Sequence, residues 1–185
     1  MIEKKLITLA CVLGILACGA CFGPIHTAPP PPPPILDSNG IRSVNVTVVN
    51  ASASRRVDPD QLGGAIANNI NQRSRGNGVT AQTQRQTGKG SAVLEVIIES
   101  ESATPRPPVS SAGTELWTFD FKVSATLTTD DGRLIWKEKA DYSFTNWLPQ
   151  EDPEAAWLEP RVRIRAPQFL ATWLVMRMFT GEQSR

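Results

Sequence analysis

The chain has 185 residues, a formal net charge of +1, three cysteines and one histidine. A balance this close to neutral gives no global pull towards nucleic acid, and the length suits one ordinary domain behind a leader. Cys11, Cys18 and Cys21 all precede residue 22, and His26 is the only histidine. The body of the chain therefore has no disulfide framework, thiolate metal site, cysteine nucleophile or histidine-based triad.

The N-terminus organises the reading. Glu3-Lys4-Lys5 is followed by an apolar run from Leu6 that ends in Ile15-Leu16-Ala17-Cys18. A short basic head, roughly a dozen apolar residues and then small residues form a secretory signal. The run is too short for a transmembrane helix, which needs ~20 apolar residues. Ile15 at −3 and Ala17 at −1 before Cys18 resemble the lipobox of bacterial lipoproteins. In that class the thiol is acylated and the leader is cut before the cysteine. Cys21 is the poorer fit, because it places Cys18 at its own −3 position. The expected division is a signal peptide at 1–17, a lipidated Cys18 with a tether over 18–40, and a folded domain over 41–185. Within the tether Pro29–Pro34 are six consecutive prolines, a semi-rigid polyproline II spacer.

The domain opens with a strand over Ile41–Val49, where Ile41, Val44, Val46 and Val48 are nearly alternating and β-branched. Asp58-Pro59-Asp60-Gln61 is a helix start, with a capping carboxylate and a proline at the first helical position. Leu62, Ala65, Ile66, Asn69 and Ile70 recur at helical spacing, and Gly76-Asn77-Gly78 ends the helix. Val79–Gln84 is a short polar strand. Ala92–Glu99 is the most apolar strand and is expected at the centre of the sheet. Thr104–Gly113, with Pro105, Pro107 and Pro108, is expected to be an exposed loop.

Leu116–Thr128 alternates cleanly, with Trp117, Phe119, Phe121, Val123, Ala125 and Leu127 on one face. Asp131-Gly132 signals a hairpin. Leu134–Trp147 returns as the partner strand, with Ile135-Trp136 marking a bulge. Asp152-Pro153-Glu154 repeats the cap-then-proline signature. Pro160 and Pro167 are expected to break the rest into a short helix near Pro153–Glu159, a joint, and a final helix near Pro167–Phe179. The fold class is α+β: a two-layer sandwich with a mostly antiparallel four- to five-stranded sheet and two helices on one face, in the order β-α-β-β-β-α.

The chemistry search finds no catalytic set, cofactor motif or metal-ligand cluster, so no enzyme is expected. Leu62-Gly63-Gly64 lies in a helix and lacks the Lys and Ser/Thr of a phosphate loop; close helix–sheet packing explains it. Asp130-Asp131 and Glu151-Asp152 sit at turns and caps. Arg161, Arg163 and Arg165 are the one charge pattern of interest. In an extended segment all three guanidiniums point one way, where they can fork onto the phosphates of an anionic lipid. A solvated face between two prolines is the alternative.

Taken together, the layout and several phrases resemble the LptE family of lipopolysaccharide-assembly lipoproteins. The phrases are Ile41-Arg42-Ser43-Val44-Asn45-Val46, Asp60-Gln61-Leu62, Ser91-Ala92-Val93-Leu94-Glu95-Val96, and the hairpin from Val123 to Trp136. The resemblance spans residues 41–180 and implies an outer-membrane lipoprotein on the periplasmic face. Its partners would be an LptD-like β-barrel, which it plugs and helps assemble, and lipopolysaccharide in transit. The first strand keeps only the Asn of the family's following phrase, in Val48-Val49-Asn50-Ala51-Ser52. The other reading is a periplasmic lipoprotein binding module, either a regulator of cell-wall synthesis or a transport accessory, which the long tether suits. An exposed apolar or aromatic surface favours the plug; a polar surface with a concave pocket favours the module.

Overall fold

The structure, a computed structural model, describes residues 35–84, 88–106, 114–149 and 152–180. The expected signal peptide, Cys18, the six prolines and most of the Thr104–Gly113 loop lie outside the described residues.

A one-turn helix, α1 (Ile35–Ser38), leads into β1 (Ser43–Asn50). Leu36 in α1 is 1% exposed, so the core begins upstream of Ile41, inside the stretch expected to be tether. Helix α2 (Pro59–Arg73) starts as its sequence dictates. The Asp58 side chain accepts from the backbone N–H of Asp60 at 2.9 Å and of Gln61 at 3.4 Å, and Pro59 needs no donor there. The helix carries the chain across one face, so that β2 (Thr80–Gln82) lies parallel to β1, a connection parallel strands require.

The next strand, β3 (Ser91–Arg106), also runs parallel to β1, and Val46 faces Leu94 across that ladder. It is longer than expected. Thr104, Pro105 and Arg106 belong to the strand and pair with Thr118, Trp117 and Leu116. Pro105 is tolerated because β1 ends at Asn50 and, among the described residues, no strand occupies its other side.

Strands β4 (Glu115–Thr129) and β5 (Leu134–Leu148) form the expected antiparallel hairpin. Gly132 takes the positive φ of 82° that the turn demands. Leu127 faces Trp136 and Thr128 faces Leu134, so Ile135 is the extra residue of a bulge.

Two helices follow, α3 (Pro153–Leu158), capped by Asp152, and α4 (Pro160–Thr180). Here the structure corrects the sequence: Pro160 begins α4 and Pro167 lies inside it. Pro167 forgoes one backbone hydrogen bond, a cost of ~3 kcal/mol. Burial of Val162, Ala166, Leu170, Leu174, Val175 and Met178 offsets this, since an aliphatic side chain gains ~1.5–3 kcal/mol on leaving water.

The sheet order is β2-β1-β3-β4-β5, with the expected apolar strand at its centre. The α+β two-layer architecture is thus as expected, with helices on one face. Pairing is antiparallel through β3-β4-β5 and parallel on both sides of β1. The core joins Val44, Val46, Leu94, Val96 and Ile98 to the inward residues of α2 and α4. At the three-stranded end the rings take over. Trp157 of α3 stands edge-on to Phe119 at 4.9 Å and to Phe121 at 5.8 Å, and Phe144 stacks on Phe119 at 5.0 Å.

Candidate functional site

Arg161, Arg163 and Arg165 lie on the first turns of α4. At 100° per residue, Arg161 and Arg165 share a side and Arg163 points almost oppositely. The expected row of three cations is therefore a pair. Arg161 Nε lies 4.0 Å from Glu159 Oε1, and the Arg165 guanidinium sits 5.9 Å from the Phe144 ring centre, within cation–π range.

The spacing of four continues from there. Phe169 packs at 5.1 Å on Phe144 and at 6.2 Å on Trp173. Arg177 Nε is 3.0 Å from Glu138 Oε1. Arg165, Phe169 and Trp173 thus form one stripe of α4 beside Phe144 of β5, while Arg161 and Arg177 lie about 160° apart around the helix. Trp173 is 41% exposed. Trp147, at the end of β5, is also exposed, whereas Trp157 is buried. The i, i+4 recurrence of cation and aromatic was readable in the sequence, once the segment is helical rather than extended.

Strand β5 closes the sheet, and among the described residues no strand pairs with its outer side. That edge is 15 residues long. Its inward face holds a sparse polar group. Glu138 is 2% exposed and faces Arg177. On either side of it, the Trp136 Nε1–H and the Tyr142 hydroxyl are buried with no hydrogen-bond partner among the described residues. Burial pushes the Tyr142 hydroxyl up to about 12, and the Glu138 charge adds to the shift.

Among the described residues, the opposite face of the sheet carries no helix. Asp120, Lys122, Ser124 and Thr126 of β4 point into it beside Lys137, Lys139 and Asp141 of β5, and Lys139 pairs with Glu99 at 3.0 Å. That hydrogen bond, together with the Lys139 charge, lowers the Glu99 carboxyl. A shallow depression of about 340 Å³ lies on this face among Asn45, Thr47, Glu95, Thr126 and Thr128.

A second carboxylate is treated very differently from Glu138. Where β1 stops, Glu101 of β3 reaches the loop between β1 and α2. Its oxygens accept from Asn50 Nδ2 at 2.7 Å, Ser52 Oγ at 2.9 Å, Ser54 Oγ at 2.8 Å, and the backbone N–H of Arg56 at 2.7 Å and Val57 at 2.9 Å. Arg55 takes a φ of 48° in this loop, and Arg56 pairs with Glu154 of α3.

A larger groove, of about 750 Å³, lies between α2 and α4. Its walls include Gln61, Asn68 and Gln72 from α2 and Ile164, Pro167 and Gln168 from α4. The paired glycines lie at this helix. A side chain at Gly63 would meet Thr83 Cγ2 at 3.3 Å and Val48 Cγ2 at 3.6 Å, so Gly63 is the close-packing residue. Gly64 faces open space and lines the groove.

Among the described residues, no helix is long and apolar enough to cross a membrane. No family model and no curated protein matches the chain. It is similar to three solved structures, among others. A minor lipoprotein from Acinetobacter baumannii is 13% identical over 76% of this chain and 94% of that one, with a TM-score of 0.46. Rare lipoprotein B from Shewanella oneidensis is 12% identical over 75% and 92%, at 0.38. The PelC dodecamer from Paraburkholderia phytofirmans is 15% identical over 79% and 91%, at 0.37. At these identities and scores none of them carries an argument about this chain's function.

Proposed function

We propose that this protein is a lipid-anchored outer-membrane lipoprotein of the LptE kind, which acts without catalysis. It would plug and help assemble an LptD-like β-barrel and contact lipopolysaccharide as it passes. The anchor rests on Ile15-Leu16-Ala17-Cys18. The observation that carries the rest is the β5 edge. A 15-residue strand without an outer neighbour among the described residues ends at exposed Trp147 and is bordered through Phe144 by Arg165 and by Phe169 with exposed Trp173. Unpaired backbone groups, aromatic rings and cations in one place suit a protein partner and a phosphorylated lipid. The helix-free face of the sheet is rich in Thr, Ser and charged residues, which suits the polar lumen of an outer-membrane barrel.

The test is purification of the tagged full-length protein from its own membranes. A large outer-membrane barrel is expected at near one-to-one ratio, and Trp173→Ala combined with Arg165→Glu should deplete it. Recovery of a cell-wall synthase, or of no partner, overturns the plug. The other reading, a periplasmic module that regulates cell-wall synthesis or assists transport, draws its support from the polar groove between α2 and α4.

A further inference from the structure

The groove between α2 and α4 has its own chemistry. Of its lining residues Asp60 alone is charged, and neither Lys nor Arg is among them. Helix α2 has only Asp60 and Arg73 as charged residues in 15 positions. A helix face that served solubility alone would be filled with Lys and Glu, which favour helix and pair at i, i+4. This one carries Gln61, Asn68 and Gln72 at helical spacing around Gly64 and Ala65, although Asn and Gly are poor helix formers. Two other amides of α2 have local tasks. Asn71 grips Ala81 through both its N–H and C=O at 2.7 and 2.9 Å, and Asn69 donates to Ala65 O at 2.9 Å. Among the described residues no such bond ties down Gln61, Asn68 or Gln72. Across the groove Gln168 adds a fourth amide, and Ile164 and Pro167 supply an apolar surface.

We propose that this groove binds an uncharged polysaccharide strand. A carboxamide donates and accepts at once, as does a sugar hydroxyl, so a row of amides matches a row of hydroxyls without any net charge. Ile164, 61% exposed, and Pro167 offer the C–H faces of the rings something to lie on. From Gln61 to Gln72 the helix rises about 17 Å, room for several sugar rings. The lack of cations and the presence of Asp60 disfavour a phosphorylated or uronic-acid chain. This site is separate from the β5 edge and does not depend on the barrel reading.

The test is a ¹⁵N–¹H NMR titration of the full chain in detergent micelles. The probes are a linear glucose heptamer, an N-acetylglucosamine hexamer and, as the anionic control, a galacturonate hexamer. A neutral oligomer is expected to shift the side-chain amide signals of Asn68, Gln72 and Gln168 at millimolar concentration. Which of the two does so tells a hexose polymer from an N-acetylhexosamine one. Gln72→Ala should weaken binding about tenfold, the loss of one neutral hydrogen bond with its partner left unpaired. Gly64→Leu is the decisive variant. A Cβ there meets nothing within 4 Å, and leaving glycine favours the helix, so the thermal midpoint should hold or rise while binding is lost. Co-purification of the β5-edge partner should survive that variant. No groove shift with either neutral oligomer, shifts only with galacturonate, or unchanged binding in Gly64→Leu overturns the proposal.

Discussion

Glu101 and Glu138 are both strand carboxylates drawn into the helix-covered half of the molecule, yet the chain around them behaves oppositely. Five donors, two of them backbone N–H groups, converge on Glu101 from the last residue of β1 and the loop that follows it. Glu138 is more deeply buried, and the contact to Arg177 is its ion pair. The Trp136 and Tyr142 donors beside it are unmatched among the described residues. A charge that many neutral dipoles solvate replaces its water and fixes a loop. A charge paired with a counter-charge in a dry seam is tolerated rather than stabilising, because desolvation consumes the attraction.

The comparison can be broken most directly at the first site. Glu101→Ala should cost about 4 kcal/mol in urea unfolding, since it orphans several donors at once. Hydrogen exchange over residues 50–57 should rise with it. If the loss is under about 1 kcal/mol, the smallest cost of a single orphaned donor, water replaces the carboxylate and the contrast fails. At the second site Arg177→Met should cost about 2 kcal/mol, less than a fully buried break because Arg177 remains 27% exposed. The double variant Glu138→Leu with Arg177→Met should recover that loss or exceed the parent. A double variant worse than either single change would mean that the pair contributes net stability.

The smallest effect sharpens the same point through pH. The folded value of Tyr142 stands at about 12 against an ordinary 10, so the fold favours the protonated hydroxyl. Its contribution is fully present below pH 10 and is lost as pH climbs towards 12. Tyr142→Phe should stabilise by about 1 kcal/mol at neutral pH, because it removes a buried hydroxyl that has no partner among the described residues. It should also remove this part of the alkaline decline. A decline of equal size in the variant would assign it to other groups.

Local chemistry was legible in the sequence. Asp58-Pro59 and Asp152-Pro153 start helices where read, Asp131-Gly132 turns the hairpin, and Ile135 is the bulge. Each depends on a few adjacent residues. What stayed hidden depends on distance. Glu101 lies 44 to 51 residues from its donors, and no spacing rule links a strand carboxylate to a loop so far upstream. The groove joins stripes from two helices that four strands separate in the sequence. Pro167 misled because proline is judged against an isolated helix, whereas α4 is paid back by the core beneath it. That one error also turned a helical stripe of cations and rings into an extended row of three arginines.

The side of β5 that no strand pairs among the described residues has a consequence for how the protein must be handled in the cell. A long, open strand recruits any exposed strand it meets, including its own copies. Lys137, Lys139 and Asp141 stand along it and are exposed, and charges so placed discourage flat edge-to-edge stacking. They slow self-association without filling the vacancy. Newly folded chains would therefore carry an unsatisfied edge during transit, and an imbalance between this protein and whatever covers the edge would register first as aggregation of the surplus.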